Sequence, residues 1–170
     1  MKISVIEVDS PLGDVRIAST DAGVCLISFS DSWDRESRVV ERRFDSIEYV
    51  EGRDPHSAGD FLRSYFGGEL TALDGLPLDP GGTGFQQQVW KRVRMITAGQ
   101  TASYSTVAKD IGKPTAIRAV GAANGQNPLP LVVPCHRVIG STGELRGYGG
   151  GIERKRWLLS HEGVSGELFK

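Results

Sequence analysis

The sequence predicts a mixed α/β (α+β) chain: a small antiparallel three-stranded sheet with one covering helix, followed by a mostly helical half built round a helix-turn-helix. Three observations carry this prediction. Short apolar runs punctuated by turn residues fill the start, helical recurrence with capping signals begins after position 83, and the glycine-rich break Asp79-Pro80-Gly81-Gly82 separates them. A chain of 170 residues can bury one sizeable core or two small ones, and the break sets the two parts at 1–80 and 83–170.

Residues 3–8 are apolar enough for a strand, and Ser10-Pro11-Leu12-Gly13-Asp14 is turn chemistry leading into the alternation of Val15 and Ile17. Asp21-Ala22-Gly23 makes a second turn before the run 24–29, which completes a meander. Over 54–69, Phe61, Leu62, Tyr65 and Phe66 recur as on a helix, which Gly67-Gly68 stops. Residues 31–53 are charged and mixed in pattern, and no element is assigned to them. In the second half Thr83 and Gln86 have capping-box spacing, and Phe85, Val89, Val93 and Ile96 then fall on one face of a helix of about three turns. Ser103 caps a second helix through Val107, Ala108 and Ile111, ended by Gly112, and Pro114 suits the first turn of a third helix over 115–125. That third helix carries Ala116, Ala119, Gly121, Ala122 and Ala123, so its surface is low. Tight core packing and close approach to another surface both fit.

Charge separates the halves further. Residues 1–82 hold 8 Lys and Arg against 16 Asp and Glu, a net of −8, whereas residues 83–170 hold 12 against 5, a net of +7. An acidic half joined to a basic one is the polarity expected when one part meets a polyanion, although uneven surface charge alone gives the same balance. Only Cys25 and Cys135 are present, far apart, which points to neither a disulfide framework nor a Cys-rich zinc site and fits a reducing, cytoplasmic setting. Residues 1–9 meet acids too early for a signal peptide, and no apolar run approaches the ~20 residues of a span, so no membrane is expected. His56, His136 and His161 lack ligand spacing, so no metal is expected. Gly147 and Gly149-Gly150-Gly151 lack the Lys-Ser/Thr ending of a phosphate loop and read as a flexible wing and pocket edge.

The run Asn127-Pro128-Leu129-Pro130-Leu131-Val132-Val133-Pro134-Cys135-His136-Arg137-Val138 is the most informative. Each proline biases its predecessor away from the helical region, so Asn127, Leu129 and Val133 are expected to be extended and the segment stiff. A cysteine in apolar surroundings is commonly an inert small hydrophobe. A nucleophilic Cys135 needs help to ionise, since a free thiol with a pKa near ~8.5 is mostly protonated at neutral pH. His136 stands next in the chain, directly or through a bridging water.

These residues resemble the O6-alkylguanine-DNA alkyltransferases, the methylated-DNA–protein-cysteine methyltransferases. The likeness covers Gly82 to Gly163 through Phe85-Gln86, Val89-Trp90, Ser103-Tyr104, Arg118-Ala119-Val120-Gly121, Asn127-Pro128, Pro134-Cys135-His136-Arg137-Val138, Gly147-Tyr148, Lys155, Leu158-Leu159 and Glu162. In the first half it rests on Ser10-Pro11-Leu12-Gly13 and Tyr65-Phe66. The resemblance implies a ribonuclease H-like first domain and a winged helix-turn-helix second one. It also implies DNA repair by direct, stoichiometric and irreversible transfer of an alkyl group from O6-alkylguanine to Cys135, without a cofactor. The partner would be double-stranded DNA bearing the lesion, bound by a monomer through the minor groove, and O4-alkylthymine stays open as a second substrate.

Roles follow from the same resemblance. Cys135 is the nucleophile, His136 its base through water, Glu162 the group that orients the imidazole, Asn127 the holder of the loop, and Tyr104 the donor to the departing guanine. The carbonyls of Cys135 and Val138 read the guanine amine, with Tyr148 and Gly149 as pocket walls. Arg118 fills the place of a nucleotide rotated out of the stack, on a helix whose Ala119, Gly121 and Ala122 meet the groove, and Ser105, Lys113 and Ser141 touch the backbone. Against these stand two other classes, a turning-over Cys-His hydrolase and a non-catalytic binder of alkylated DNA. Three positions depart from the family. Gly149 replaces a serine of some relatives, which leaves room for larger alkyl groups and is checked by comparing methyl with benzyl transfer. Gly125 replaces an arginine, which weakens expected DNA affinity, and Thr97 replaces a common proline.

Overall fold

In the first half, β1 (Lys2–Val8), β2 (Val15–Ser19) and β3 (Val24–Phe29) form the expected antiparallel meander. The sheet has four strands rather than three, in the order β3-β2-β1-β4, because β4 (Glu48–Glu51) adds parallel to β1. A parallel neighbour requires a crossover, and the unassigned stretch 31–53 supplies it as helix α1 (Trp33–Glu41). Trp33 and Val40 of α1 pack on Ile3, Val5, Ala18, Cys25 and Leu26. Helix α2 (Ala58–Phe66) is shorter than the predicted 54–69: the Asp54 carboxylate accepts the N–H groups of Ala58 and Gly59, each at 2.9 Å, at its start. It meets Ile6 at Gly59. Two helices therefore cover the sheet where one was expected, with Ile3 and Val5 turned to α1 and Ile6 to α2 by the two-residue alternation of a strand.

The chain divides into two compact units, Met1–Gly81 and a second that begins at Gly82. The computed structural model describes residues 1–166, so the last four positions of the predicted 83–170 part lie outside the described residues. Helix α3 (Gly84–Arg94) opens on a complete capping box: Thr83 Oγ1 accepts the Gln86 N–H at 3.1 Å, and Gln86 Oε1 accepts the Thr83 N–H at 2.9 Å. Just before it, Gly82 sits at φ 82, where a Cβ would lie 2.6 Å from the Trp90 ring. Only glycine fits there. Helix α3 buries Val89, Trp90 and Val93 but leaves Phe85 half-buried, and Ile96 is buried from the turn beyond the helix rather than from its face.

A short strand β5 (Ala102–Ser103) leads into α4 (Tyr104–Asp110), capped as expected by Ser103, whose hydroxyl accepts the Thr106 N–H at 3.0 Å. Helix α5 (Ile117–Gly125) starts two residues later than predicted. Pro114 lies in the preceding turn, closed by the Ala116 N–H on the Lys113 carbonyl at 2.9 Å, and not in the first helical turn. β6 (Val138–Ile139) pairs parallel with β5, an irregular stretch follows, and α6 (Ile152–His161) closes the described fold. No helix among the described residues is long and apolar enough to cross a membrane.

Candidate active site

Helix α5 packs one face of its low surface into the core and leaves the other exposed. Val120, Ala123 and Asn124 are buried, while Arg118, Ala119, Ala122 and Gly125 are exposed and Gly121 is half-buried. The Trp90 indole N–H donates to the Ala123 carbonyl at 2.7 Å and ties α5 to α3.

Asn127, Leu129 and Val133 were expected to be extended residues in a stiff segment, and the segment as a whole does not run straight. It winds into turns, with the Val133 N–H on the Leu129 carbonyl at 2.9 Å and Leu131 at φ 76. The proline rule limits single dihedrals; burial of Leu129, Leu131, Val132 and Val133 decides the path. Asn127 makes the turn, its Oδ1 accepting the Leu129 N–H at 2.9 Å and its Nδ2 donating to the Val133 carbonyl at 2.8 Å. The chain then enters a single 3-10 turn, Cys135–Arg137, which carries the thiol and the imidazole.

Cys135 is 6 % exposed. Burial pushes its thiol pKa up, opposed by a hydrogen bond from the Asn127 side chain, the Lys155 charge and the N–H groups of Cys135 and His136. His136 is fully buried, and its Nε2 lies 3.0 Å from both oxygens of Glu162. Arg137 grips the same carboxylate, Nε to Oε1 at 2.8 Å and a terminal nitrogen to Oε2 at 2.7 Å, and reaches the Ile96 carbonyl at 2.6 Å. Burial would raise the Glu162 pKa, but the bonds from Arg137 and His136 outweigh it and hold the carboxyl well below the usual range. Burial lowers the His136 pKa, Glu162 notwithstanding. A neutral imidazole facing a carboxylate carries its proton on Nε2. Nδ1, which has no hydrogen-bond partner among the described residues, is then the basic nitrogen.

From α6, Lys155 donates to the carbonyls of Val138 at 2.7 Å and Arg146 at 2.9 Å, and burial brings its pKa down to about 8. The Cys135 carbonyl accepts the Asn124 amide at 3.3 Å as well as the Val138 N–H. Beside these groups opens a cavity of about 580 Å³ lined by Tyr104, Arg118, Gly121, Arg146 and Tyr148, among others, with Gly125, Gly147 and Gly149 leaving it wide. Tyr104 feels the charge of Cys135, and burial raises its phenol pKa, so it stays a neutral donor.

The structure thus gathers Cys135, His136, Glu162, Asn127 and Val138 in one buried cluster that does not itself line the cavity but adjoins it through Tyr104 and Tyr148, which wall it with Gly149 and Arg118. The three residues expected on the DNA backbone lie outside this cluster: Ser105 bonds the Ser103 hydroxyl at 3.0 Å, Lys113 lies 5.0 Å over the Phe85 ring, and Ser141 is exposed after β6. Arg137, Lys155 and Asn124 had no expected role. Lys155 was findable, since it shares the buried face of its helix with Leu158 and Leu159 at positions i, i+3 and i+4. No group of residues able to hold a metal occurs among the described residues.

The first half matches the family "6-O-methylguanine DNA methyltransferase, ribonuclease-like domain" over residues 2–80, and the second matches "6-O-methylguanine DNA methyltransferase, DNA binding domain" over residues 84–164. A methylated-DNA–protein-cysteine methyltransferase of Salmonella typhimurium is 49 % identical over 160 residues, 92 % of this chain and 94 % of the relative. The crystal structure of Mycobacterium tuberculosis O6-methylguanine methyltransferase is similar at 42 % identity and TM-score 0.80, covering 94 % of this chain and 92 % of that one. That of Mycobacterium tuberculosis OGT in complex with DNA is similar at 41 % identity and TM-score 0.81, covering 97 % of each chain.

Proposed function

The chain belongs to the 6-O-methylguanine DNA methyltransferases, repair enzymes that move an alkyl group from DNA to one of their own cysteines, and we propose that Cys135 is the acceptor, taking the group from O6-alkylguanine in a nucleotide rotated out of the duplex. The observation that carries this reading is the His136 imidazole pinned through Nε2 to the Glu162 carboxylate, with a basic Nδ1 left over, next in the chain to a buried thiol.

In that reading the thiol proton passes through a water to His136 Nδ1, and Glu162 steadies the imidazolium. Arg137 keeps Glu162 ionised. Lys155 offsets the thiolate charge, and Asn127 holds the sulfur's loop. Sulfur attacks the alkyl carbon as its bond to O6 breaks, the electron pair stays on guanine, and Tyr104 turns its hydroxyl from the Arg146 carbonyl, which it meets at 3.3 Å in the free protein, to donate a hydrogen bond or proton to the leaving purine. The Val138 carbonyl keeps a lone pair beyond its bond to Lys155 for the guanine amine. A thioether offers no carbonyl for water to attack, so each molecule acts once.

Duplex DNA carrying O6-alkylguanine is the partner, met by the exposed small-residue face of α5 in the minor groove, with Arg118 filling the vacated stack. The working form is a cytoplasmic monomer, and O4-alkylthymine is a candidate second substrate. Incubation with an O6-methylguanine duplex followed by peptide mass spectrometry is expected to find one methyl group, on the Cys135 peptide, and none after Cys135→Ala. A bare Cys135 with the lesion still in place, or many lesions cleared per molecule, overturns the reading.

A further inference from the structure

At the lip of the cavity the chain bends at Gly147, φ 38, directly after Arg146. The main-chain carbonyl of Arg146 accepts both the Tyr104 hydroxyl at 3.3 Å and the Lys155 ammonium at 2.9 Å. Its side chain is 70 % exposed and lies 3.8 Å from Glu144, too far for a hydrogen bond. Among the described residues no other acceptor engages it. The carboxylate is far better anchored. The Thr142 hydroxyl donates to it, the Gly140 N–H closes a turn on the Glu144 carbonyl at 2.8 Å, and the side chain folds over Gly140 into space that a Cβ there would claim. A hydrogen-bonded anion thus faces an exposed cation across 3.8 Å and holds it by charge alone.

A purine drawn into this cavity brings its flanking phosphates with it, and they must stay outside, at the lip. Arg118, the other cation on the cavity wall, is committed to the vacated stack in the function proposed above. We propose that Arg146 is a phosphate-binding residue for the everted nucleotide, restrained by Glu144 in the free protein and released when a phosphate takes the place of that carboxylate. The inference rests on the nucleotide-flipping reading above. The exchange is favourable because an exposed carboxylate pair contributes little, whereas a guanidinium can meet a phosphate with two parallel hydrogen bonds. It also reaches the chemistry, since the peptide that bears Arg146 is the shared acceptor of Tyr104 and Lys155. A phosphate on the side chain steadies the segment that holds Lys155 and from which Tyr104 turns its hydroxyl to the purine.

The test measures binding to a duplex bearing one O6-methylguanine across a salt series, and Cys135 labelling by that duplex and by the free base O6-benzylguanine, which has no phosphate. Arg146→Ala is expected to weaken duplex binding about tenfold and to flatten the dependence of log K on log salt by about one contact's worth, roughly 0.9 in slope. It is expected to slow labelling by the duplex at least about fivefold more than labelling by the free base. Glu144→Gln, which keeps the Thr142 acceptor, is expected to tighten duplex binding about threefold, and only while Arg146 is present. Wild-type protein that labels from both substrates while Arg146→Ala keeps its affinity and salt slope overturns the phosphate role alone. So does equal slowing with both substrates, the mark of a merely structural residue. Wild-type protein that labels from neither overturns the parent function and takes this proposal with it.

Discussion

At the scale of single residues, the site reconciles a buried sulfur with a need for charge. Burial alone disfavours a thiolate, so the groups around Cys135 must supply what water would, and the buried Lys155 ammonium brings a full positive charge to the sulfur. That charge is itself marginal. The Lys155 pKa is down to about 8 because burial penalises the ammonium, so Lys155 is charged below about 8 and neutral above it. An unassisted thiol with a raised pKa gains reactivity steadily as pH rises, whereas one that relies on Lys155 loses its support as the lysine deprotonates. The expected transfer rate on free O6-benzylguanine therefore climbs as pH rises toward the lysine's transition, then levels or falls above about 8, and Lys155→Met is slower with no bend. A wild-type profile still rising steeply past the lysine's transition would show that Cys135 does not depend on it. Cys135 and His136, the proposed nucleophile and base, stand adjacent in the sequence and could be named from it. Arg137 and Asn124 act through contacts across 25 residues to Glu162 and 11 residues to Cys135, which no local spacing records.

At the scale of elements, legibility followed how local the determining contacts are. The Thr83–Gln86 capping box and the Ser103 cap are closed within three residues, and both elements start where those signals put them. Strand β4 was invisible because it is four residues long and owes its place to β1, paired from Lys2↔Glu48 to Val5↔Glu51. The C-terminus of α5 is a third case, decided by a neighbouring helix. Its late carbonyls need partners: Ala122 and Asn124 receive the N–H groups of Gln126 and Asn127, and Ala123 receives the Trp90 indole of α3. Trp90→Phe keeps most of the ring but strands that buried carbonyl, for an expected loss of about 1–3 kcal/mol. Urea denaturation reads it directly, and a midpoint unchanged from wild type would mean that the carbonyl finds another donor.

At the scale of the whole molecule, a reaction that ends on the protein's own sulfur must leave its mark on folding. Cys135 is 6 % exposed, held in a 3-10 turn between Pro134 and the paired strand Val138–Ile139, and flanked by Leu131, Val132 and Val133, none more than 4 % exposed. A close-packed interior has no spare room for another methyl group, and inserting one typically costs about 1–3 kcal/mol. Methylation also removes the charged form that Lys155 and the Asn127 amide favour, so the Asn127 hydrogen bond to sulfur and the attraction of the Lys155 charge weaken as the added carbon presses on the turn. For a chain of this size each kcal/mol moves the melting temperature by about 2–4 °C, so the spent protein is expected to melt roughly 5 °C below the unreacted one. Protein taken to completion with free O6-benzylguanine, whose larger adduct presses harder, should fall further than protein methylated from DNA, unless the adduct escapes into the cavity left wide by Gly125, Gly147 and Gly149. Differential scanning calorimetry on the three forms separates these cases. Equal melting temperatures throughout would mean that the sulfur faces open space and that burial of Cys135 does not restrain the product.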